Sequence, residues 1–291
     1  MSGTPTFASL TSAPLTSRAL IALAGPDWRV FLQGLITQDV ETLAVGEVRF
    51  GALLTPQGRL LYDLFVIGRP MPEGDGCWLD VAAEHRAAIV QRLTMYRLRA
   101  KVEIAADETP VSILYGAEAR PGAGWVRDPR LPVLGWRGYG ATVPAGAAMS
   151  DETARDAAKL LLGVPGPADW GSDKTYPLEA NFDLLHGIDF KKGCFVGQET
   201  TSRMKRRGQI KSRMLPIAFE GPAPTPGSDV LAGELGAGEL RAGQVLSGGD
   251  GRAMALLRLD RAQGKSLTVD GRPVSVERPA WFLEALGVEA A

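Results

Sequence analysis

The chain has 291 residues, 45 % of them hydrophobic and 22 % charged, with 32 basic against 33 acidic side chains and a formal net charge of −1. That balance fits a folded chain long enough for two or three domains; it excludes wholesale disorder and any global field that would draw nucleic acid or membrane. Two cysteines, Cys77 and Cys194, and two histidines, His85 and His186, exclude a disulfide framework and a self-contained structural zinc site, and weaken histidine-dependent hydrolase readings.

Residues 1–17 are rich in Ser, Thr, Pro and Ala and lack the basic start and apolar run of a secretory signal. No stretch approaches the roughly 18–20 apolar residues that span a bilayer. A cytoplasmic chain without a membrane partner is the expectation. A first strand is expected over 17–23, and Gly25-Pro26-Asp27 followed by Trp28, Phe31, Leu32 and Leu35 predicts a capped helix. Residues 60–67 and 78–81 read as strands. Residues 83–96 read as a helix with Ile89, Val90, Leu93 and Tyr96 on one face and His85 solvated, and 101–104 and 111–115 return to strand. This order suggests an α+β sandwich of the ferredoxin-like sort. The Pro/Gly-rich residues 120–149 read as a connector with short strands around Trp125 and Trp136, and Ser150-Asp151-Glu152 caps a helix that runs to Leu162. From Arg213 onward, strands at 214–219, 253–259, 266–269 and 274–276 alternate with Gly/Pro/Asp turns, the pattern of a small barrel or sandwich.

The chemistry concentrates at Phe190-Lys191-Lys192-Gly193-Cys194-Phe195-Val196-Gly197-Gln198-Glu199. Cys194 lies between two glycines, which suit a tight backbone path or close approach of a ligand. Lys191 and Lys192 are near enough in sequence to favour a thiolate, and Gln198 and Glu199 add an amide and a carboxylate. A reactive or metal-contacting thiol and a buried inert one both remain open on spacing alone. From Lys191 to Arg213 there are eight basic residues, Lys191, Lys192, Arg203, Lys205, Arg206, Arg207, Lys211 and Arg213, against Glu199 alone, a local +7. Such a run is either a solvated face or a seat for a polyanion such as a polyglutamate tail, a phosphate or an RNA backbone, although no aromatic residue is interleaved between Phe195 and Phe219.

Lys192-Gly193-Cys194-Phe195-Val196-Gly197-Gln198-Glu199 resembles the K-G-C-[FY]-x-G-Q-E signature of YgfZ-type folate-binding proteins, relatives of the glycine-cleavage T-protein. Gly25-Pro26-Asp27 with residues 31–40, Gly163-Val164-Pro165, Leu178-Glu179-Ala180-Asn181 and Arg207-Gly208 extend the resemblance over nearly the whole chain. It implies a three-part α+β architecture around a central channel. Residues 1–45 with 145–207 would form a discontinuous folate-binding domain, 46–144 a ferredoxin-like domain and 208–291 a C-terminal β-barrel. It also implies tetrahydrofolate or a folate derivative as cofactor, held by Glu179, Asn181, Lys192, Gln198, Glu199 and Arg206.

Family members are associated with iron–sulfur cluster assembly or repair, and the first functional expectation is a folate-binding accessory factor acting through Cys194. Its partners would be iron–sulfur client enzymes or assembly proteins. One cysteine cannot by itself hold a cluster that takes about four ligands, so Cys194 is at most a transient iron ligand and no permanently bound cluster is expected. The alternatives are a folate-dependent one-carbon (aminomethyl or methyl) transferase, with Asp63 as the catalytic carboxylate, and a tRNA-binding or tRNA-modification factor. In the stretch resembling the T-protein's paired acids, Tyr62 precedes Asp63, and Leu161 stands where a pterin-holding Glu is expected.

Overall fold

The computed structural model describes residues 9–71, 74–116, 121–206, 208, 210–233 and 238–288. The chain forms two compact units, one of residues 1–5, 156–184 and 201–291 and the other of residues 6–155 and 185–200.

The larger unit contains two sheets. Its first strands are β1 (Thr11–Pro14) and β2 (Arg18–Ala24), followed by α1 (Trp28–Gln33), β3 (Val48–Leu54), β4 (Leu60–Met71) and β5 (Gly74–Ala82). A single 3-10 turn then leads into α2 (Arg86–Arg97), β6 (Glu103–Asp107), β7 (Val111–Tyr115), β8 (Trp125–Arg127), β9 (Trp136–Tyr139) and β10 (Ala148–Met149). One sheet has the order β3-β4-β5-β2-β6 and is antiparallel throughout; the other has the order β10-β1-β7-β9-β8. Within the first sheet, β2-α1-β4-β5-α2-β6 with the order β4-β5-β2-β6 is the β-α-β-β-α-β arrangement of a ferredoxin-like sandwich. The boundary expected at residue 45 therefore runs through a sheet. Residues 76–82 of β5 are buried without interruption, and such a central strand needs partners on both edges, which β4 and β2 supply. Ile21, Leu23, Trp28, Leu32, Leu64, Val66, Leu79, Ile89 and Leu93 form the core between this sheet and its helices. On α2 the expected face is half realised: Ile89 and Leu93 are buried, whereas Tyr96 is exposed. Asp27 precedes α1 without capping it, because its carboxylate accepts the backbone N–H of Lys101 at 2.8 Å instead.

The other unit is built on a closed six-stranded barrel of β11 (Ser212–Ala218), β12 (Asp229–Ala232), β13 (Leu240–Gly249), β14 (Arg252–Arg258), β15 (Leu267–Val269) and β16 (Arg272–Val276), in the order β11-β14-β13-β12-β15-β16. Two of these strands, β12 and β13, are not marked by the sequence pattern, since β13 mixes Gly, Arg, Gln and Ser with few apolar residues. Around the barrel lie α4 (Pro167–Trp170), α6 (Leu259–Ala262) and α7 (Ala280–Ala285). Two helices run through the residues that separate the units: α3 (Glu152–Leu161), capped by Asp151 accepting the Ala154 N–H at 2.8 Å, and α5 (Gln198–Arg206).

Candidate functional site

The segment 186–197 is laid against the chain that follows α1 by a series of long-range hydrogen bonds. Thr37 Oγ1 donates to the Gly187 carbonyl at 2.6 Å, the Asp189 N–H to the Thr37 carbonyl at 3.0 Å, and the Val196 N–H to the Gly34 carbonyl at 3.1 Å. Asp189 Oδ1 accepts the N–H groups of Lys191 and Lys192, an Asx turn that starts the loop. Lys192 is buried, and its ammonium donates to the carbonyls of Gln33, Ile36 and Gln38 at 2.8, 2.7 and 2.7 Å. Burial lowers this amine to about 8, against the opposing pull of Asp39, Asp189 and Glu41. On the other side of the thiol, Phe195 is buried, with its ring 5.3 Å from Lys192 Nζ. Cys194, between these two anchors, is exposed, as is Gly193. The loop thus presents a thiol to solvent from a fixed base.

Gly197 completes the base by packing on the turn between β3 and β4. Its φ is +84°, and a Cβ there would stand 2.7 Å from the Thr55 carbonyl oxygen and 2.9 Å from Gly58 Cα. This contact brings the thiol motif onto the hairpin that carries Arg59, Tyr62 and Asp63. Gln198 is partly exposed at the start of α5, and Glu199 is exposed in its first turn, where a carboxylate suits the helix dipole.

Several expected ligand residues have other work. Lys192 has three N–H donors and all three are taken by carbonyls, so it neither contacts a folate nor serves the thiol as a free cation. Asn181 is fully buried at φ +61°; its amide donates to the Met214 carbonyl at 2.7 Å and accepts from Arg213 at 3.0 Å, which makes it a latch rather than a ligand. Glu179 Oε2 accepts the Tyr176 N–H at 2.9 Å. Asp63, expected as a catalytic carboxylate, is buried and paired with Arg18 at 2.9 Å. Tyr62 rests its ring 5.1 Å from that of His85, and Leu161 is 41 % exposed on α3. Arg206 is exposed, while Arg207 lies outside the described residues. The linear run of eight cations is not one charged surface, because Lys192 and Arg213 are buried and Arg213 and Lys205 both pair with Asp183.

Sequence reasoning missed a buried charge network between the two sheets of the larger unit. Asp80 on β5 accepts from Arg18 Nε at 2.6 Å, from Arg137 Nε at 3.1 Å and from the Tyr139 hydroxyl at 3.0 Å. Asp128 holds Arg130 through two hydrogen bonds of 2.9 and 2.7 Å, and the Arg137 guanidinium lies 3.8 Å from the Phe65 ring centroid. Burial by itself would raise both carboxyls. The guanidinium groups overcome it, holding Asp80 below its ordinary value and Asp128 at about 2. An Asp inside the apolar run Trp78-Leu79-Asp80-Val81 was the available signal, since a buried carboxylate requires a cation.

Of the six residues expected to hold folate, Asn181 and Lys192 have their polar groups committed inside the protein and Glu179 has one oxygen engaged, whereas Gln198 is partly exposed and Glu199 and Arg206 are exposed.

Residues 211–284 match the family model described as the CAF17 C-terminal beta-barrel domain. The chain is similar to the mitochondrial iron–sulfur cluster assembly factor IBA57 of Homo sapiens, with 30 % identity over 277 residues that cover 86 % of this chain and 78 % of the human protein. The mitochondrial homologue of that factor in Neurospora crassa is 33 % identical over 239 residues, 72 % of this chain and 54 % of the fungal protein. The chain thus spans about half the length of that relative and of its counterpart in Pyricularia oryzae, of which 56 % is covered. Among solved structures, the glycine cleavage system aminomethyltransferase T from Bartonella henselae superposes with a TM-score of 0.74 at 20 % identity, covering 95 % of this chain and 87 % of that one, which shows a shared fold. The relatives' names correct one expectation: they are mitochondrial proteins, and this overturns the cytoplasmic assignment, which rested only on missing signals and few thiols. At this level of identity and coverage, the chain belongs to the family of the iron–sulfur cluster assembly factor IBA57.

Proposed function

We propose that the chain serves iron–sulfur cluster assembly by offering Cys194 as a single thiolate ligand to a cluster whose remaining ligands come from a partner protein. The observation that carries this reading is the exposure of Cys194 on a loop pinned on both sides, by the Lys192 ammonium and by the Phe195 ring. A cluster takes about four protein ligands. Among the described residues no group of three His, Cys, Asp or Glu side chains is placed to hold a metal, and Cys77 is buried, so the cluster is cargo shared with another chain. In the exchange, Cys194 gives up its proton and forms one Fe–S bond, while the displaced thiolate of the partner takes up a proton. Iron and sulfide keep their oxidation states. The loop's part is to hold the sulfur where a partner can reach it, which a mobile loop would do at a larger ordering cost.

The relatives' names as iron–sulfur cluster assembly factors support this reading. A one-carbon transferase has less support, since Asp63 is held in an ion pair and Leu161 removes an acceptor. No step here passes through folate. The test is complementation of a strain lacking the protein: Cys194→Ser should fold like the parent yet fail to restore activity of enzymes that depend on [4Fe–4S] clusters. Full restoration by Cys194→Ser would overturn the proposal.

A further inference from the structure

We infer that the connection from the end of α2 to β6 is a docking surface for an anionic lipid bilayer. Residues 94–99 are exposed without a break, and among them Met95 and Leu98 are 66 % and 88 % exposed. Arg92, Arg97, Arg99 and Lys101 are interspersed with these apolar residues along the chain, and the stretch from 85 to 102 carries no Asp or Glu, its flanking acids being the exposed Glu84 and Glu103. Arg92 lies toward the Tyr96 ring, at 5.7 Å from its centroid, so an aromatic side chain of interfacial type sits beside the cations. Asp27 accepts the Lys101 backbone N–H at 2.8 Å and so helps to hold the turn.

Two features separate this turn from ordinary scattered surface residues. Leu98 has φ +44°, a backbone conformation that side chains with a Cβ rarely adopt and that the surrounding structure must hold, and its side chain is almost fully exposed. The base beneath it is tight: Gly25 has φ +101°, and a Cβ there would stand 2.5 Å from the Lys101 carbonyl oxygen. A fixed turn with aliphatic side chains outermost and cations beside them matches the boundary between phosphate headgroups and acyl chains. An RNA backbone would answer the cations but offer Met95 and Leu98 no apolar medium, and a protein partner would need a preformed pocket for each. This is contact with one face of a bilayer; no helix among the described residues is long and apolar enough to cross one.

The test is co-sedimentation of the full chain with vesicles of phosphatidylcholine mixed with phosphatidylglycerol, and with vesicles of phosphatidylcholine alone. Binding to the anionic vesicles is expected to exceed binding to the neutral ones by about tenfold or more and to weaken with salt. Two double variants, Met95→Ser with Leu98→Ser and Arg99→Gln with Lys101→Gln, should each lower that binding by about tenfold while leaving the melting temperature unchanged. Equal binding to both vesicle types, or binding that neither double variant alters, would overturn the inference. So would an absence of vesicle binding together with binding of polyuridylate, or co-purification of an acidic protein, that is lost in Arg99→Gln with Lys101→Gln.

Discussion

Gly58 and Gly197 pack backbone against backbone: a Cβ on Gly58 would stand 3.1 Å from the Gly197 carbonyl oxygen, and one on Gly197 would stand 2.9 Å from Gly58 Cα. The β3–β4 turn and the thiol loop therefore share one wall, and neither can carry a side chain there. Gly197→Ala adds a methyl group 2.7 Å from the Thr55 carbonyl oxygen at φ +84° and should cost about 2–4 kcal/mol. A Cβ on Gly193 meets nothing within 4 Å, so Gly193→Ala should change stability by less than about 0.5 kcal/mol. Urea unfolding of the two variants checks the contrast.

The two thiols should differ sharply in reactivity. Cys194 is exposed, whereas Cys77 lies in the core of β5, where burial raises its thiol well above the ordinary range. Native protein treated with iodoacetamide should take up one carbamidomethyl group, at Cys194, and a second only in denaturant. Intact mass and peptide mapping read this directly, and rapid native labelling of Cys77 would contradict it.

Lys192 should prove structural. Lys192→Met leaves the carbonyls of Gln33, Ile36 and Gln38 without their donor and should cost about 2–4 kcal/mol. Lys192→Arg should not recover the loss, because a planar fork cannot replace a compact ammonium beneath three converging oxygens. The thermal midpoint should fall by about 5–15 °C in either variant.

The buried network contributes to the acid sensitivity of the larger unit. Asp80 and Asp128 are held below the ordinary value of 3.8, Asp128 at about 2, so between these values the unfolded chain binds more protons than the folded one. Their stabilisation is complete above about pH 4 and drains away as pH falls through 2, and urea midpoints measured across this range should decline in step. Asp80→Asn leaves Arg18 and Arg137 without their shared carboxylate and should cost about 3–5 kcal/mol at neutral pH.

Much of the architecture is legible in local pattern. The strand expected over 111–115 is β7 to the residue, and the turn-punctuated texture after Arg213 is the barrel. Apolar periodicity reports such elements because burial acts on each side chain where it stands. β12 and β13 escaped it, since a strand with Gly, Gln and Ser on its partly exposed positions carries little alternation. The cut expected at residue 45 failed to show that β2 belongs with β4, β5 and β6, because pairing between strands leaves no trace in the spacing of either one.

Residue identity and spacing direct attention to Cys194, since its flanking glycines and the motif around it are consecutive along the chain, but its exposure is visible only in the fold. The fate of its neighbours was not written there. Lys192 next to the thiol in sequence looks like an activating cation, yet its ammonium is held by carbonyls 154 to 159 residues away. Asn181, Asp63 and Arg213 were likewise assigned by contacts with Met214, Arg18 and Asp183. A polar side chain's function depends on which of its donors and acceptors remain unused, and only the folded chain, by bringing distant backbone to each of them, decides that.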